Sequence, residues 1–248
     1  MSLHQVDQLY NKLKLMRPLN QAELKRLRDE FMINNTYNSN AIEGNTLTLR
    51  ETAMILQDGI TIAEKPIKEH LEAIGHRDAF EYIESLTKKG TPLTERTIKE
   101  IHSLVLMNDA ANKGVYRSVP VTILGASHTP PQPYLVPVQM EQLLRDYEEM
   151  KQSKHIIEAV AEFHLRFEGV HPFIDGNGRT GRLIMNFELM KAGLLPVNIK
   201  FADRRKYYDC FDVYYTYNDS SKMVELITGY EIEELEKHIA IIEGKEKV

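Results

Sequence analysis

The segment from His171 to Arg182 places, within twelve residues, the side-chain types that can carry out chemistry on a phosphate group. It reads HPFIDGNGRTGR. The glycines on either side of Asn177 allow a tight turn and a close approach of the backbone to a ligand. Backbone N–H groups at the start of a helix can bind an anion. Asp175 is a hard oxygen ligand suited to Mg²⁺, and His171 is an imidazole that can take a proton from an attacking hydroxyl.

A helix is expected to follow this loop, because apolar residues recur there at helical spacing, at Leu183, Phe187, Met190 and Leu194. Arg179 and Arg182 are three residues apart in its first turn. That spacing puts both guanidinium groups on one side of the helix start, where they can meet phosphate oxygens. The alternative is a glycine-rich turn with surface arginines and a structural histidine, which the density of chemically active residues disfavours.

These residues resemble the signature of the Fic family, the Fic/Doc proteins that transfer AMP from ATP to protein hydroxyls. The family pattern is His-Pro-Phe, two residues, Gly-Asn-Gly-Arg, two residues and Arg, with Asp or Glu before the first glycine. The sequence matches every fixed position. The resemblance implies an all-α, Fic-type helical domain with a small β-hairpin flap. It also implies that His171 is the general base, that Asp175 holds Mg²⁺, and that the backbone around Gly176 and Gly178 forms the anion hole.

The same resemblance assigns ATP, bound with Mg²⁺, to further residues. It implies that Arg179 and Arg182 contact the β- and γ-phosphates. Asn177 is expected to hold the loop, to touch the ribose, or to do both. Tyr208 is expected near the adenine, with simple packing as the alternative. The helix that carries Tyr208 departs from the small and amide residues usual in the family, which leaves nucleotide selectivity open, at Tyr214, Tyr215 and Tyr217.

A second segment, SNAIEG from Ser39 to Gly44, resembles the inhibitory helix of the family. Ser39 and Glu43 are four residues apart and therefore share one helix face. Gly44 suits the position that ends a helix. The resemblance implies an inhibitory helix over about residues 34–44, in which Ser39 and Glu43 regulate activity because Glu43 pairs with Arg182. Taken alone, the pattern is also that of an ordinary helix end.

Composition places the 248-residue chain among ordinary soluble globular proteins, with 42% hydrophobic and 27% charged residues. Its net charge of −5 gives no reason to expect nucleic-acid binding. The single cysteine, Cys210, excludes an internal disulfide. The first fifteen residues lack the apolar core of a signal peptide, and no apolar run is long enough to span a bilayer. We therefore expect a cytoplasmic protein that has no membrane partner.

Helical spacing recurs along most of the chain and predicts one all-helical domain. Within it we expect an N-terminal region 1–93, a Fic core 94–200 and C-terminal helices 201–248 packed on the core. The predicted helices are one through Leu24, Leu27 and Phe31; a short one from a Thr48–Glu51 capping box to Gly59; one from Pro66 that carries Ile67, Leu71, Ile74 and Ile83; one from Thr94 with Ile98, Ile101 and Val105 inward; one through Met140 to Tyr147; one through Ile156 to Phe167; and closing helices Lys206–Asn218 and Glu231–Ile242.

The stretch 109–137 is the exception to this pattern. Val119–Leu124 is the best strand candidate, and 128–137 contains four prolines, which predicts an extended segment. The stretch resembles the Fic flap, expected at about 119–137, on which a protein substrate docks and presents a hydroxyl. The alternative is a surface loop between two helices.

The resulting interpretation is a protein adenylyltransferase that modifies a Ser, Thr or Tyr hydroxyl and is autoinhibited by its N-terminal helix. The family resemblance leaves other activities open: transfer of UMP, phosphocholine or phosphate, removal of AMP, and non-enzymatic nucleotide binding in regulation. Gly178 argues against the Doc-like phosphorylating members, which lack the second glycine. His171 argues against a pure binder, which needs no base there. Self-modification and a homodimer also remain open.

Overall fold

Helices supply the regular structure of residues 2–123 and 128–245, which the computed structural model describes. The α-helices are α1 Leu3–Leu15, α2 Gln21–Ile42, α3 Leu49–Ala53, α4 Ile67–Lys88, α5 Glu95–Val105, α6 Val136–Ser153, α7 Ile156–Val170, α8 Asn177–Lys191, α9 Arg204–Tyr217 and α10 Ser221–Ile242. Met54–Asp58 forms a π-helical turn, and Pro133–Leu135 and Phe201–Asp203 form 3₁₀ turns. The all-α prediction is confirmed over these residues. Among these helices, none combines the length and the apolar character that crossing a membrane requires.

Helix α8, which begins inside the signature, lies at the centre of the fold. It packs against α7, α4 and α5, and its first half also contacts α2. Leu183, Ile184 and Phe187 are fully buried, and burial of each such side chain stabilises the fold by about 1.5–3 kcal/mol. The surrounding helices therefore fix the start of α8, where the signature loop ends.

Local capping signals set the helix ends as the sequence predicts. Thr48 and Glu51 form a reciprocal capping box at the start of α3. Gly59 ends the π-helical turn with a φ of 68°, a left-handed conformation that favours glycine. The Thr94 side chain caps α5 by accepting a hydrogen bond from a backbone N–H. These elements form where predicted because their signals depend on residues only three or four positions apart.

Two predicted helix starts need correction, and one helix was missed. Helix α4 begins at Ile67 rather than at Pro66, and Ile67 is exposed, because the buried face of α4 runs instead through residues such as His70 and Phe80. Helix α10 begins at Ser221 rather than at Glu231. Helix α1 was not predicted, and it packs against α10.

The predicted β-hairpin flap is not formed by the described residues. Residues 119–123 of the predicted strand are not in a strand, and Leu124 lies outside the described residues. The predicted extended stretch 128–137 is wrong beyond Gln132, because a 3₁₀ turn begins at Pro133 and α6 contains Pro137 in its first turn. Prolines are tolerated there because the first turn of a helix leaves its N–H groups without helical partners.

A buried arginine connects the two arms of this segment in place of a strand ladder. Arg117 donates to the carbonyl of Val119 at 3.1 Å and to that of Pro131 at 2.6 Å. It also donates from Nε to the carbonyl of His171 at 2.8 Å. Proline lacks a backbone donor, so Pro131 cannot pair symmetrically with a neighbouring strand. The arginine satisfies these carbonyls and joins the segment to the signature loop.

Candidate functional site

The signature loop joins α7 to α8 and is fixed from within by Asn177. Asn177 Nδ2 donates to the carbonyl of Phe173, and Asn177 Oδ1 accepts from the N–H of Phe173, both at 2.9 Å. Both residues are buried. The Asn177 side chain therefore holds the loop, and a contact of its remaining N–H with a ribose stays a prediction.

A buried histidine that the sequence analysis missed fixes the same loop from outside. His102 Nδ1 accepts from the N–H of Gly114 at 2.9 Å, which leaves Nε2 to donate to the carbonyl of Asp175, also at 2.9 Å. The imidazole ring stacks on Phe173, with centroids 3.6 Å apart. Burial lowers the pKa of His102 to about 4, so the ring is neutral at pH 7, as this hydrogen-bond pattern requires.

Replacing Asn177 by alanine is expected to destabilise the protein by about 1–3 kcal/mol, because the buried N–H and C=O of Phe173 would lose their partners. The measurement is the free energy of unfolding in urea, compared with that of the wild-type chain. An unchanged free energy would mean that the loop does not depend on these two bonds.

His171 follows the last turn of α7 in a left-handed conformation, with a φ of 48°. Such a φ is uncommon for a residue other than glycine and tends to occur at functional sites. Nδ1 lies 3.3 Å from the carbonyl oxygen of Glu168, which leaves Nε2 for other contacts. Burial lowers the pKa of His171 below its ordinary value, although the Glu168 carbonyl opposes this. At pH 7 the ring is therefore neutral and able to accept a proton.

Arg182 of α8 is enclosed by α2 and α9. Its Nη2 donates to the carbonyl of Ser39 and to Glu43 Oε1, both at 2.8 Å, and its Nε donates to Ser39 Oγ at 3.0 Å. Its Nη1 lies 3.3 Å from the hydroxyl of Tyr207. Burial disfavours the charge on Arg182, but Tyr207 and the Glu43 carboxylate outweigh it and raise the Arg182 pKa. The two segments singled out in the sequence thus meet at this guanidinium.

The two signature glycines leave room for this arrangement. Gly176 caps the start of α8 with a φ of 77°. A Cβ at Gly178 would collide with the Glu43 carboxylate and would lie 3.0 Å from Arg182 Nη1. The helix start that was predicted as an anion site therefore has a carboxylate beside it.

A cavity of about 410 Å³ connects these groups. The signature contributes its polar lining, which includes His171, Asp175, Gly176, Gly178 and Arg182. Helix α9 contributes an aromatic lining, which includes Tyr207, Tyr208, Phe211 and Tyr215. Such a cavity can hold a molecule that combines an anionic group with a flat ring.

Known proteins share both the signature and the fold. Residues 92–189 match the Fic/DOC family. The crystal structure of a Fic domain containing signaling protein from Bacteroides thetaiotaomicron aligns with a TM-score of 0.91 and 30% identity, over 98% of each chain. This chain belongs to the Fic family.

Other Fic proteins are similar over most of this chain. Fic-1 from C. elegans aligns with a TM-score of 0.87 and 29% identity, over 98% of this chain and 72% of that one. Proteins named Protein adenylyltransferase Fic from Nematostella vectensis and Aedes aegypti are each 38% identical over 84% of this chain. The alignments cover 48% and 42% of those proteins, so the chain spans about half the length of these curated relatives.

The structure separates the two arginines of the Fic signature. Arg182 lines the cavity, whereas Arg179 is 3% exposed and is not part of the lining. Arg179 Nη1 lies 3.5 Å from Glu72 Oε1, and its Nη2 lies 3.3 Å from Asp175 Oδ1. Although their spacing places Arg179 and Arg182 on one side of the helix, the two side chains contact different partners. A phosphate contact by Arg179 stays a prediction.

Asp175, the predicted Mg²⁺ ligand, is half-exposed in the cavity wall. The N–H of Gly176 donates to its Oδ1 at 2.6 Å, and Lys68 Nζ lies 4.0 Å from its Oδ2. In the part of the chain that the structure describes, no three histidine, cysteine or acidic side chains converge as a metal-binding cluster. Asp175 therefore stands as a single hard ligand beside the signature backbone.

The aromatic side of the Fic cavity contains Tyr208, the residue predicted near the adenine, and Tyr215, which the sequence singled out only as a departure from the family pattern. Tyr208 is 39% exposed there, and its hydroxyl lies 3.3 Å from the carbonyl of Ile42. Tyr215 donates to the carbonyl of Leu165 at 2.5 Å, and its ring stacks on His128 with centroids 4.0 Å apart. Tyr215 stands where the family usually has a small or amide residue, so this position is one at which the pocket is expected to differ from those of other Fic proteins.

Proposed function

We propose that this chain is a protein adenylyltransferase that transfers AMP from Mg-ATP to a Ser, Thr or Tyr hydroxyl of a protein. The observation that carries the proposal is the complete Fic signature built around one cavity, with His171, the start of α8 and Arg182 in its lining. The names of the relatives, Protein adenylyltransferase Fic, support the same activity.

In the proposed reaction His171 acts as the general base. Nδ1 is occupied by the Glu168 carbonyl, so Nε2 takes the proton from the target hydroxyl. The hydroxyl oxygen attacks the α-phosphorus, an O–P bond forms, the bond between the α-phosphorus and the bridging oxygen breaks, and pyrophosphate leaves. Catalysis then depends mainly on positioning and charge stabilisation, as phosphate transfer requires.

The phosphates fit the polar lining of the cavity. The start of α8 at Gly176 presents backbone N–H groups and the positive end of the helix dipole. Arg182 supplies a planar donor for the γ-phosphate once Glu43 has released it. Mg²⁺ fits Asp175, because one carboxylate together with substrate phosphates is a common arrangement for this ion. When bound, the ion would neutralise phosphate charge.

Replacing Asp175 by alanine is expected to abolish Mg²⁺-dependent transfer and to weaken ATP binding in Mg²⁺ by about tenfold or more, the loss typical of a charged ligand. In EDTA the affinity for ATP should change little. The measurement is calorimetric titration of ATP under both conditions. Equal losses in Mg²⁺ and in EDTA would instead indicate that Asp175 stabilises the loop.

We also propose that Glu43 inhibits this reaction. Glu43 and Ser39 occupy three of the hydrogen bonds that the Arg182 guanidinium can donate. ATP then binds with its γ-phosphate out of reach of Arg182, and the α-phosphate is poorly placed for attack. Relief of this inhibition requires only a movement of the Glu43 side chain at the end of α2. The proposed inhibition is therefore local and involves no change of fold.

The target protein and the adenine are proposed to bind at different parts of the cavity. The segment 117–123, fixed by Arg117, is the candidate platform for an extended target segment, which would bind through its main chain. Tyr208 is the candidate for stacking against the adenine, since its ring is partly exposed in the cavity.

Incubation with ATP labelled at the α- or the γ-phosphate tests the proposed function. Transfer of the α-label alone to protein, in the Glu43→Gly variant, is the expected result. Transfer of the γ-label would identify a kinase, and transfer from labelled UTP in preference to ATP would identify a uridylyltransferase. Absence of any transfer, together with measurable ATP binding, would favour a nucleotide-binding regulator.

A further inference from the structure

Glu168 is a buried acid beside the proposed general base, and the reaction described above does not use its side chain. It lies in the last turn of α7, and its side chain is 12% exposed and lines the cavity. Its Oε2 is 3.8 Å from His171 Nδ1. Its Oε1 is buried, and no described group forms a hydrogen bond with it. A buried carboxyl oxygen without a partner is costly, so this position is not explained by packing alone.

The opposite wall leaves space for this side chain. Gly181 of α8 faces it, and a Cβ there would lie 2.7 Å from Glu168 Oε1. The absence of a side chain at Gly181 lets the glutamate lie flat between α7 and α8. The carboxyl group is therefore kept within reach of the His171 ring rather than directed into solvent.

The charged and titratable groups around Glu168 come from α7 itself, where His164 lies beside it against Gly181, and from three other elements. Glu43 faces it from α2, Arg182 from α8, and Tyr207 and Tyr215 from α9. Burial and, to a smaller extent, the like charge of Glu43 raise the pKa of Glu168, Arg182 opposes both, and the resulting pKa is about 8. At pH 7 most of the carboxyl is therefore neutral.

The surroundings of His171 favour its deprotonated form, whereas those of Glu168 favour its protonated form. Burial lowers the His171 pKa, Arg117 also lowers it, and Glu43 and Asp175 oppose this. Near pH 7, therefore, the Glu168 carboxyl is protonated and the His171 ring is neutral. If His171 then takes a proton, the neutral Glu168 gives the resulting imidazolium no adjacent counter-charge.

We infer that Glu168 is a positioning residue for catalysis: its carboxylate, 3.8 Å from His171 Nδ1, stabilises the imidazolium that forms when Nε2 takes the proton from the target hydroxyl. The inference rests on the proposed function. The proton stays on His171 in this step, and Glu168 contributes only negative charge, so no further bond forms or breaks. An opposite charge at this distance favours the protonated form of a histidine.

The consequence is a transfer rate that rises with pH above neutrality. Ionisation of Glu168 strengthens His171 as a base, so the rate should follow the ionised fraction of Glu168. Between one pH unit below and one above its pKa, that fraction increases by about tenfold. Removing Glu43 removes a like charge, so the rise should shift to lower pH in a Glu43→Gly chain.

The test compares kcat at saturating Mg-ATP from pH 6 to 9 for Glu43→Gly and for Glu43→Gly/Glu168→Gln. The first chain should show a several-fold rise, and the second less than about a twofold one, because glutamine cannot ionise. The ionisation of ATP affects both chains equally and cancels in the comparison. Coincident pH profiles, or a rate that falls with pH only when Glu168 is present, would overturn the inference.

Two further measurements keep the test decisive. Glu43→Gly/Glu168→Asp retains an ionisable group, so its pH rise should return even if its rate is lower. Thermal unfolding of each variant identifies a chain that fails to fold, and the aspartate variant then decides the outcome. If Glu43→Gly transfers nothing at any pH, the proposed function fails; if it transfers AMP with coincident profiles, only the role of Glu168 fails.

Discussion

Replacing His171 by alanine is expected to lower AMP transfer by about 10²- to 10⁴-fold, the range over which a positioned general base contributes. Its burial lowers the pKa of the imidazole, so the ring is available as a base at pH 7. The affinity for Mg-ATP should stay within about twofold, because the proposed phosphate contacts come from α8 and Arg182. The measurements are the rate of α-label transfer and the Kd for Mg-ATP, both in the Glu43→Gly background.

The matched control for this variant is His4→Ala, since His4 is exposed on α1, far along the chain from the signature, and hydrogen-bonds locally to Gln8. Its transfer rate should equal that of the parent chain. A His171→Ala chain that still labels protein at the parent rate would remove His171 from the mechanism. Loss of ATP binding along with transfer would indicate that the loop had collapsed instead.

The features that could be predicted from sequence are those whose signals lie close together along the chain. Three such features each depend on a few adjacent residues: the capping box of Thr48 and Glu51, the end of α2 just before Gly44, and the start of α8 after Gly176. The signature loop was predictable for the same reason. Ser39 and Glu43 were singled out by their spacing and by family resemblance, and both contact Arg182, 143 and 139 positions away respectively.

The features that were missed depend on partners brought together by packing. His102 meets the carbonyl of Asp175 across 73 positions, and a lone histidine on an amphipathic helix gives no local sign of that contact. The segment after Arg117 was predicted as a strand from its β-branched residues. It forms no strand in the described residues, because prolines remove backbone donors and the buried guanidinium takes the free carbonyls. Arg179 likewise finds Glu72 on another helix.

The pairing of Glu43 with Arg182 is strong enough to act as a switch yet weak enough to be broken. The Arg182 side chain is 4% exposed and that of Glu43 is 35% exposed, so the carboxylate keeps partial contact with solvent. A hydrogen bond that involves charged groups contributes about 1.5–3 kcal/mol. The two hydrogen bonds from Arg182 to Ser39 do not involve Glu43, so we expect them to keep the guanidinium in place for a phosphate when Glu43 is replaced.

Replacing Glu43 by glycine is therefore expected to raise auto-modification or target labelling by at least an order of magnitude, which requires about 1.4 kcal/mol from the pair. Arg182 would then be free to bind the γ-phosphate, and the space beside Gly178 would open for the triphosphate. The measurement is the initial rate of α-label transfer at saturating Mg-ATP, compared with that of the wild-type chain.

Graded substitutions separate the charge of Glu43 from its reach in the proposed inhibition. Glu43→Asp keeps the charge but reaches Arg182 less well, and Glu43→Gln keeps the reach but loses the charge, so both should lie between the wild-type chain and Glu43→Gly. Arg182→Ala should be inactive with either residue at position 43, because its own phosphate contact is lost. An unchanged rate for Glu43→Gly would refute autoinhibition and leave SNAIEG as an ordinary helix end. A rate that rises for Glu43→Gln as much as for Glu43→Gly would place the whole effect in the charge of the carboxylate.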